Sequence, residues 1–233
     1  MDLVTPTGDG EALLSLSGRL DPHPWIETAG PQTAEDAFSV CRARVALMGW
    51  DTTFSNMPGE RQELFGLLDA HQGDPGSNDL LRVRVQPAQP AAVHRYLPVL
   101  GIAVQDTLAR LGVADVTAVL ATLPAAPPDP QSLPYLQHTR NWFRATAPGA
   151  DTSATLRFEG PTTAQQRIAL ERLAGRTITP FAIDPERTTI HLPEWSVTAL
   201  TWTLATITTA VREAGFTDDL NIDLSPTAAA SRV

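Results

Sequence analysis

The chain has 233 residues, 42% of them hydrophobic, and a formal net charge of -9 at neutral pH. That supplies enough apolar surface for one larger domain or two small ones and excludes wholesale disorder. All 17 basic residues are arginine, so lysine Schiff bases, lysine general bases and phosphate-loop lysines are excluded.

Residues 1–10, with Pro6, Gly8 and Gly10, read as a loose lead-in, and Glu11 to Leu20 alternates as a strand. Asp21 to Gly30 is expected to be a loop. Thr33 to Met48 reads as a helix, because Phe38, Cys41, Val45 and Met48 recur at three and four residues behind a possible threonine cap. Trp50 to Phe54 reads as a short strand and Glu60 to Ala70 as a second helix, closed by a turn over Gly73 to Gly76. Leu81, Val83 and Val85 alternate with Arg82, Arg84 and Gln86, the pattern of a half-buried strand. Ala91 to Leu111 carries a helical apolar stripe, with Pro98 either kinking it or marking its first turn, and Gly112 ends it. Val116 to Leu123 returns as a strand. Pro124 to Ala150 contains six prolines and is expected to run as a semi-rigid extended connector.

Beyond the connector, Thr152 to Glu159 reads as a strand and Thr163 to Ala174 as a helix. Arg176 to Ile183 and Thr188 to Leu192 read as a hairpin around Asp184-Pro185-Glu186. Ser196 is placed to cap a helix whose stripe is Val197, Leu200, Leu204, Ile207 and Val211, although six threonines lower its intrinsic propensity and leave a strand as the alternative. Leu220, Ile222 and Leu224 form the last strand.

Two patterns occur twice. Gly30-Pro31-Gln32-Thr33-Ala34-Glu35 is answered by Gly160-Pro161-Thr162-Thr163-Ala164-Gln165, with Thr33 and Thr163 as the caps. Leu108 to Asp115 is answered by Val211 to Asp218, each ending a helical pattern and leading into a strand. The second unit therefore reads β-α-β-β-α-β, and the first reads the same with an insertion near residues 50–80. The expected fold class is α+β: two tandem ferredoxin-like units related by internal duplication, mostly antiparallel, paired sheet beside sheet. Residues 1–124 would form the first unit, 125–151 a connector rich in proline and aromatics, and 152–233 the second unit with its tail. Gly30 and Gly160 should then start equivalent helices.

No apolar run reaches the roughly 20 residues a spanning helix needs, and the first residues lack the layout of a secretory signal. A cytoplasmic protein without membrane association is expected. Cys41 sits on an apolar stripe and reads as a buried thiol, and no histidines stand at metal-ligand spacing. Asp219, Asn221 and Asp223 echo a calcium loop, but Leu224 replaces its glycine and Ala230 its glutamate, so they read as the wet face of a strand. No metal and no cofactor is expected. Net negative charge disfavours nucleic acid as a partner.

Two clusters remain as candidate ligand- or partner-binding residues. His138, Arg140, Trp142 and Arg144, at the end of the connector, could grip an anionic or aromatic group by hydrogen bonding and stacking. Trp142 is expected to lie where the two units meet, with Arg140 or Arg144 beside a groove. His191 and Glu194, at a strand-to-helix junction, could form a proton-transfer pair if both faced a pocket. No catalytic residue is assigned. The expected function is a non-enzymatic interaction or ligand-binding protein, taking a protein or small molecule between its halves. The alternative is a metal-independent isomerase, cyclase or lyase with its site in the groove between the two units.

Overall fold

The computed structural model describes residues 10–24, 65–72, 78–139, 152–176, 181–183, 188–192 and 194–227. The predicted helix Thr33–Met48 with Cys41, the strand at 50–54, Gly30, the Gly73–Gly76 turn and the Asp184–Glu186 turn lie outside the described residues.

The fold is α+β. Eight strands, β1 (Ala12–Pro22), β2 (Phe65–Gln72), β3 (Asp79–Pro87), β4 (Gly112–Leu123), β5 (Thr152–Glu159), β6 (Phe181–Ile183), β7 (Thr188–Leu192) and β8 (Leu220–Pro226), form one sheet in the order β2-β3-β1-β4-β8-β5-β7-β6. Every neighbouring pair is antiparallel. Within each half, counting its own strands, the order runs fourth, first, third, second, and the two fourth strands, β4 and β8, join the halves.

Alternation decides which face each strand buries. Ala12, Leu14 and Leu16 on β1, Val119, Ala121 and Leu123 on β4, and Leu220, Ile222 and Leu224 on β8 are buried in one core cluster. The helices α1 (Val93–Leu111), α2 (Ser132–Thr139), α3 (Thr163–Arg176) and α4 (Val197–Glu213) belong to that cluster's side. Helix α4 is its centre, packing against α1, α2 and α3. Its threonines, against their propensity, do not make it a strand. Thr201, Thr203, Thr206, Thr208 and Thr209 are buried, and each donates its hydroxyl to the carbonyl four residues back at 2.7–2.9 Å, so the polar atom is satisfied within the helix. Ser196 caps the helix as expected, its Oγ accepting from the Ala199 N–H.

Four expectations need correction. Residues 65–70, read as part of a helix, form β2; Leu68 pairs with Val85 and Ala70 with Val83, and the register slips around Gly66. A short apolar run carries no decisive period, and the strand is fixed by pairing with β3. The connector is not extended throughout, because Ser132–Thr139 is helical. Asp129 Oδ1 accepts from the Gln131 N–H, and Pro130 supplies a helix-compatible φ, a start signal hidden among the other prolines. Of the two places left open for Pro98, it takes the one inside α1. The cap of α3 is Thr162, one residue earlier than expected: Thr162 and Gln165 exchange backbone-to-side-chain bonds at 3.0 and 3.3 Å, a reciprocal capping box. Gln32 stands at the matching place in the first copy, so the two copies differ where the cap is made. Arg176 also ends α3 instead of opening a strand, and β6 spans Phe181–Ile183.

Candidate functional site

Where the sheet turns away from the helices, cross-strand register builds two rows of side chains on the opposite face. One runs Arg84, Leu13, Thr122, Asn221, Glu159; the next runs Arg82, Ser15, Leu120, Asp223, Arg157. Both rows cross the β4–β8 seam and so draw on both halves of the chain. Thr122 is only 3% exposed and Leu13 9%, while Ser15, Arg82, Arg84, Leu120, Asn221 and Asp223 are half-buried. Burial pushes the Asp223 carboxyl above its ordinary range; Arg157 beside it opposes the shift and Glu159 adds to it. Glu11 approaches Arg84 at 4.0 Å at the edge of this face. Arginines, carboxylates, small polar side chains and two leucines are thus mixed over this sheet surface.

On the helix side, two buried polar clusters hold the connector. Arg212, 4% exposed near the end of α4, donates through Nη1 to the carbonyls of Phe216 (3.1 Å) and Asp218, and through Nη2 to the Pro124 carbonyl at 2.8 Å. Its guanidinium also lies 5.7 Å from the Phe216 ring centroid. Burial lowers its pKa, and Tyr96, Asp219 and Asp218 act in the opposite direction. The second cluster surrounds His94, 1% exposed in the first turn of α1. Its Nδ1 is 2.5 Å from Ser132 Oγ and 3.7 Å from Asp129 Oδ2, and its ring meets Tyr135 edge-on at 5.0 Å between centroids. Serine and aspartate approach the same ring nitrogen, so this is not a relay in which one nitrogen faces a nucleophile and the other a carboxylate. Burial pushes the His94 pKa down to about 4, with Asp129 opposing and Arg95 assisting.

Of the residues singled out from sequence, His191 is half-buried on β7, its Nδ1 3.1 Å from Ser153 Oγ on the register-paired position of β5. Glu194 accepts from Ser196 Oγ at 2.5 Å just before α4. Each is thus bonded to a serine. The backbone of His138 lies in α2, while Arg140, Trp142 and Arg144 lie outside the described residues. Asp219 accepts from the Ala125 N–H at 2.8 Å, and Asn221 and Asp223 lie on β8, as the strand-face expectation had it. Among the described residues, no three histidine, cysteine, aspartate or glutamate side chains converge to hold a metal ion. No described helix is long and apolar enough to cross a membrane. Arg212 and His94 escaped the sequence reading because a lone basic residue in a helix carries no local mark of what it will face, and the two sheet rows because they depend on strand order. Only Asp129-Pro130, an aspartate-proline turn just ahead of Ser132, signalled the helix that covers His94.

No family model matches the chain, and no curated protein or solved structure matches it.

Proposed function

We propose that the chain is a non-enzymatic interaction protein built on two ferredoxin-like units related by internal duplication. Its partner is a protein that docks across the β4–β8 seam on the sheet face away from the helices. The duplication is supported by the strand order, which repeats in each half, and by the repeated segment at Leu108–Asp115 and Val211–Asp218, which ends α1 and α4 before the last strand of each half. Residues 1–124 and 152–233 are then the two units.

The observation that carries the docking reading is the pair of polar and charged rows that cross both halves on the sheet face away from the helices. On the opposite side the space between the halves is filled: a Cβ on Gly101 of α1 would stand 1.8 Å from Thr201 Oγ1 of α4. The mixed arginines and carboxylates of the two rows suit a mixed-charge protein surface better than a polyanion. With a net charge of -9, duplex nucleic acid should bind weakly at physiological salt.

Site-specific photo-crosslinking in cells that express the chain tests this. A photo-reactive residue at Leu120 or Thr155 should give the same discrete protein adduct, and one at the helix-side Ile168, which is 38% exposed, should not. The Arg157→Glu substitution should abolish the Leu120 adduct. Adducts of equal strength from Ile168, or none from the sheet positions, would reject the docking face.

A further inference from the structure

We propose that His94 is a pH-operated latch: protonating its imidazole releases the connector helix α2 from its seat on α1 and α4 while the eight-stranded sheet stays closed.

The geometry supports this in three ways. First, His94 joins α1 to the start of α2, bonded to Ser132 and met edge-on by Tyr135. Second, the ring lies in the first turn of α1 and touches the first residue of α2. The N-terminal dipoles of two helices therefore both disfavour an imidazolium there. Third, the rest of the seat is apolar: Leu133 and Leu136 of α2 are each 1% exposed. A charged ring cannot keep water contact without lifting the helix.

The ionisable groups around it are few. From its own helix Arg95 repels a proton on the ring, and from the turn before α2 Asp129 attracts one at 3.7 Å. Helix α2 adds Tyr135, whose phenol is itself raised by burial. The only ionisable side chains of α4 are Arg212 and Glu213; the first is bonded to carbonyls and the second to Arg172 at 3.1 Å. Asp129 alone favours the charged ring, and burial outweighs it.

The latch concerns one helix and not the whole fold. Residues 124–126 are held separately, by Arg212 on Pro124, by Asp219 on the Ala125 N–H and by the Thr217 carbonyl on the Ala126 N–H. Unseating α2 therefore leaves β4, β8 and their joint in place.

Hydrogen exchange on the full chain, corrected for the intrinsic pH dependence of exchange, tests the proposal. Between pH 7.5 and 4.5 the opening of residues 132–139 should rise on the order of 100-fold. Protection of β4 and β8 should not change. In His94→Gln, which keeps a neutral polar group, protection of α2 should be flat with pH. A proton NMR titration of the wild-type His94 ring gives an independent readout and should place its midpoint near 4. An equal acid loss in His94→Gln, a sheet that opens together with α2, or a ring that titrates near 6.5 with α2 still protected would each overturn the latch.

Discussion

Arg212 shows how one residue can tie three chain segments. It is a buried cation whose guanidinium hydrogen bonds go to the carbonyls of Phe216, Asp218 and Pro124. Replacing it with methionine keeps most of the volume but strands those carbonyls. The expected loss is on the order of 2–4 kcal/mol. Lysine should rescue little of it, because a point charge cannot reproduce the fork. Urea denaturation at neutral pH measures both, and a loss under about 1 kcal/mol for Arg212→Met would mean that water replaces the guanidinium. His94 makes stability depend on pH with a definite sign. Its folded pKa lies near 4, below the ordinary 6.5, so the unfolded chain binds more protons between those values. The ring's contribution is therefore complete above pH 6.5 and is lost as pH falls towards 4. The ceiling is roughly 3 kcal/mol, and the loss stops earlier if opening α2 alone costs less. Urea curves from pH 7.5 to 4.5 should show this fall in the wild type, and the His94→Gln variant should lack it. Asp223 has the opposite sign. Burial raises its folded pKa, so the stability it contributes is present below the ordinary carboxylate range and is lost as pH rises through the folded value. Asp223→Asn should therefore melt higher than the parent at pH 7, and a lower melting temperature would show that the Arg157 attraction dominates.

At the scale of elements, α1 and α4 meet so closely that one glycine decides their spacing. A Cβ at Gly101 would lie 1.8 Å from Thr201 Oγ1 and 2.8 Å from its Cβ, so Gly101→Ala forces the helices apart. A cost of about 1–3 kcal/mol is expected. Thr201→Ala removes the hydroxyl and methyl that clash, so Gly101→Ala should cost less in that background than in the wild type. Additive losses in a double-mutant cycle would mean that the helices part by another route. Neither the contact nor its closeness could be read from the sequence, where Gly101 only interrupts a helical pattern. What was legible follows from periodicity: the stripe Val93, Leu97, Leu100, Val104, Leu108 and Leu111 is buried throughout, and so is Val197, Leu200, Leu204, Ile207 and Val211. The alternation of β3 was equally plain. Illegible were elements whose stability comes from neighbours. Strand β2 exists through its pairing with β3, and α2 through Leu133, Leu136 and Ser132 settling on other helices. Of the candidate site, the sequence singled out His191 and Glu194 by residue type, but their serine partners are a register-paired neighbour and a helix cap. The two rows across the sheet needed the strand order, which no local pattern encodes. Gly160 is legible in part: it adopts φ +113°, and a Cβ there would meet Phe216 Cζ at 2.7 Å, so its place before a helix start reflects both backbone and packing.

For the whole molecule the question is whether either half stands alone, and the packing says that it does not. Strand β8 completes the second half, yet its far edge is covered only by β4, from Val119↔Leu224 to Leu123↔Leu220. Helix α4 is buried along its whole length, from Val197 to Arg212, because α1 lies on one side and α3 on the other. Separating the halves would expose the α1-facing side of α4, with Thr201 and its apolar neighbours, together with an unpaired strand edge. The Arg212–Pro124 and Asp219–Ala125 bonds would be cut at the same time. Fragments 1–150 and 151–233, expressed separately, should each be either unfolded or self-associated, with the β4 or β8 edge recruiting a second copy. Mixed after refolding together, they should form a one-to-one complex with the circular dichroism and unfolding cooperativity of the intact chain. Size-exclusion chromatography with light scattering distinguishes these states. If fragment 151–233 alone proved to be a monomer with a cooperative unfolding transition, the β4–β8 joint and the α1–α4 contact would be dispensable, and the two halves would be independent domains that merely touch.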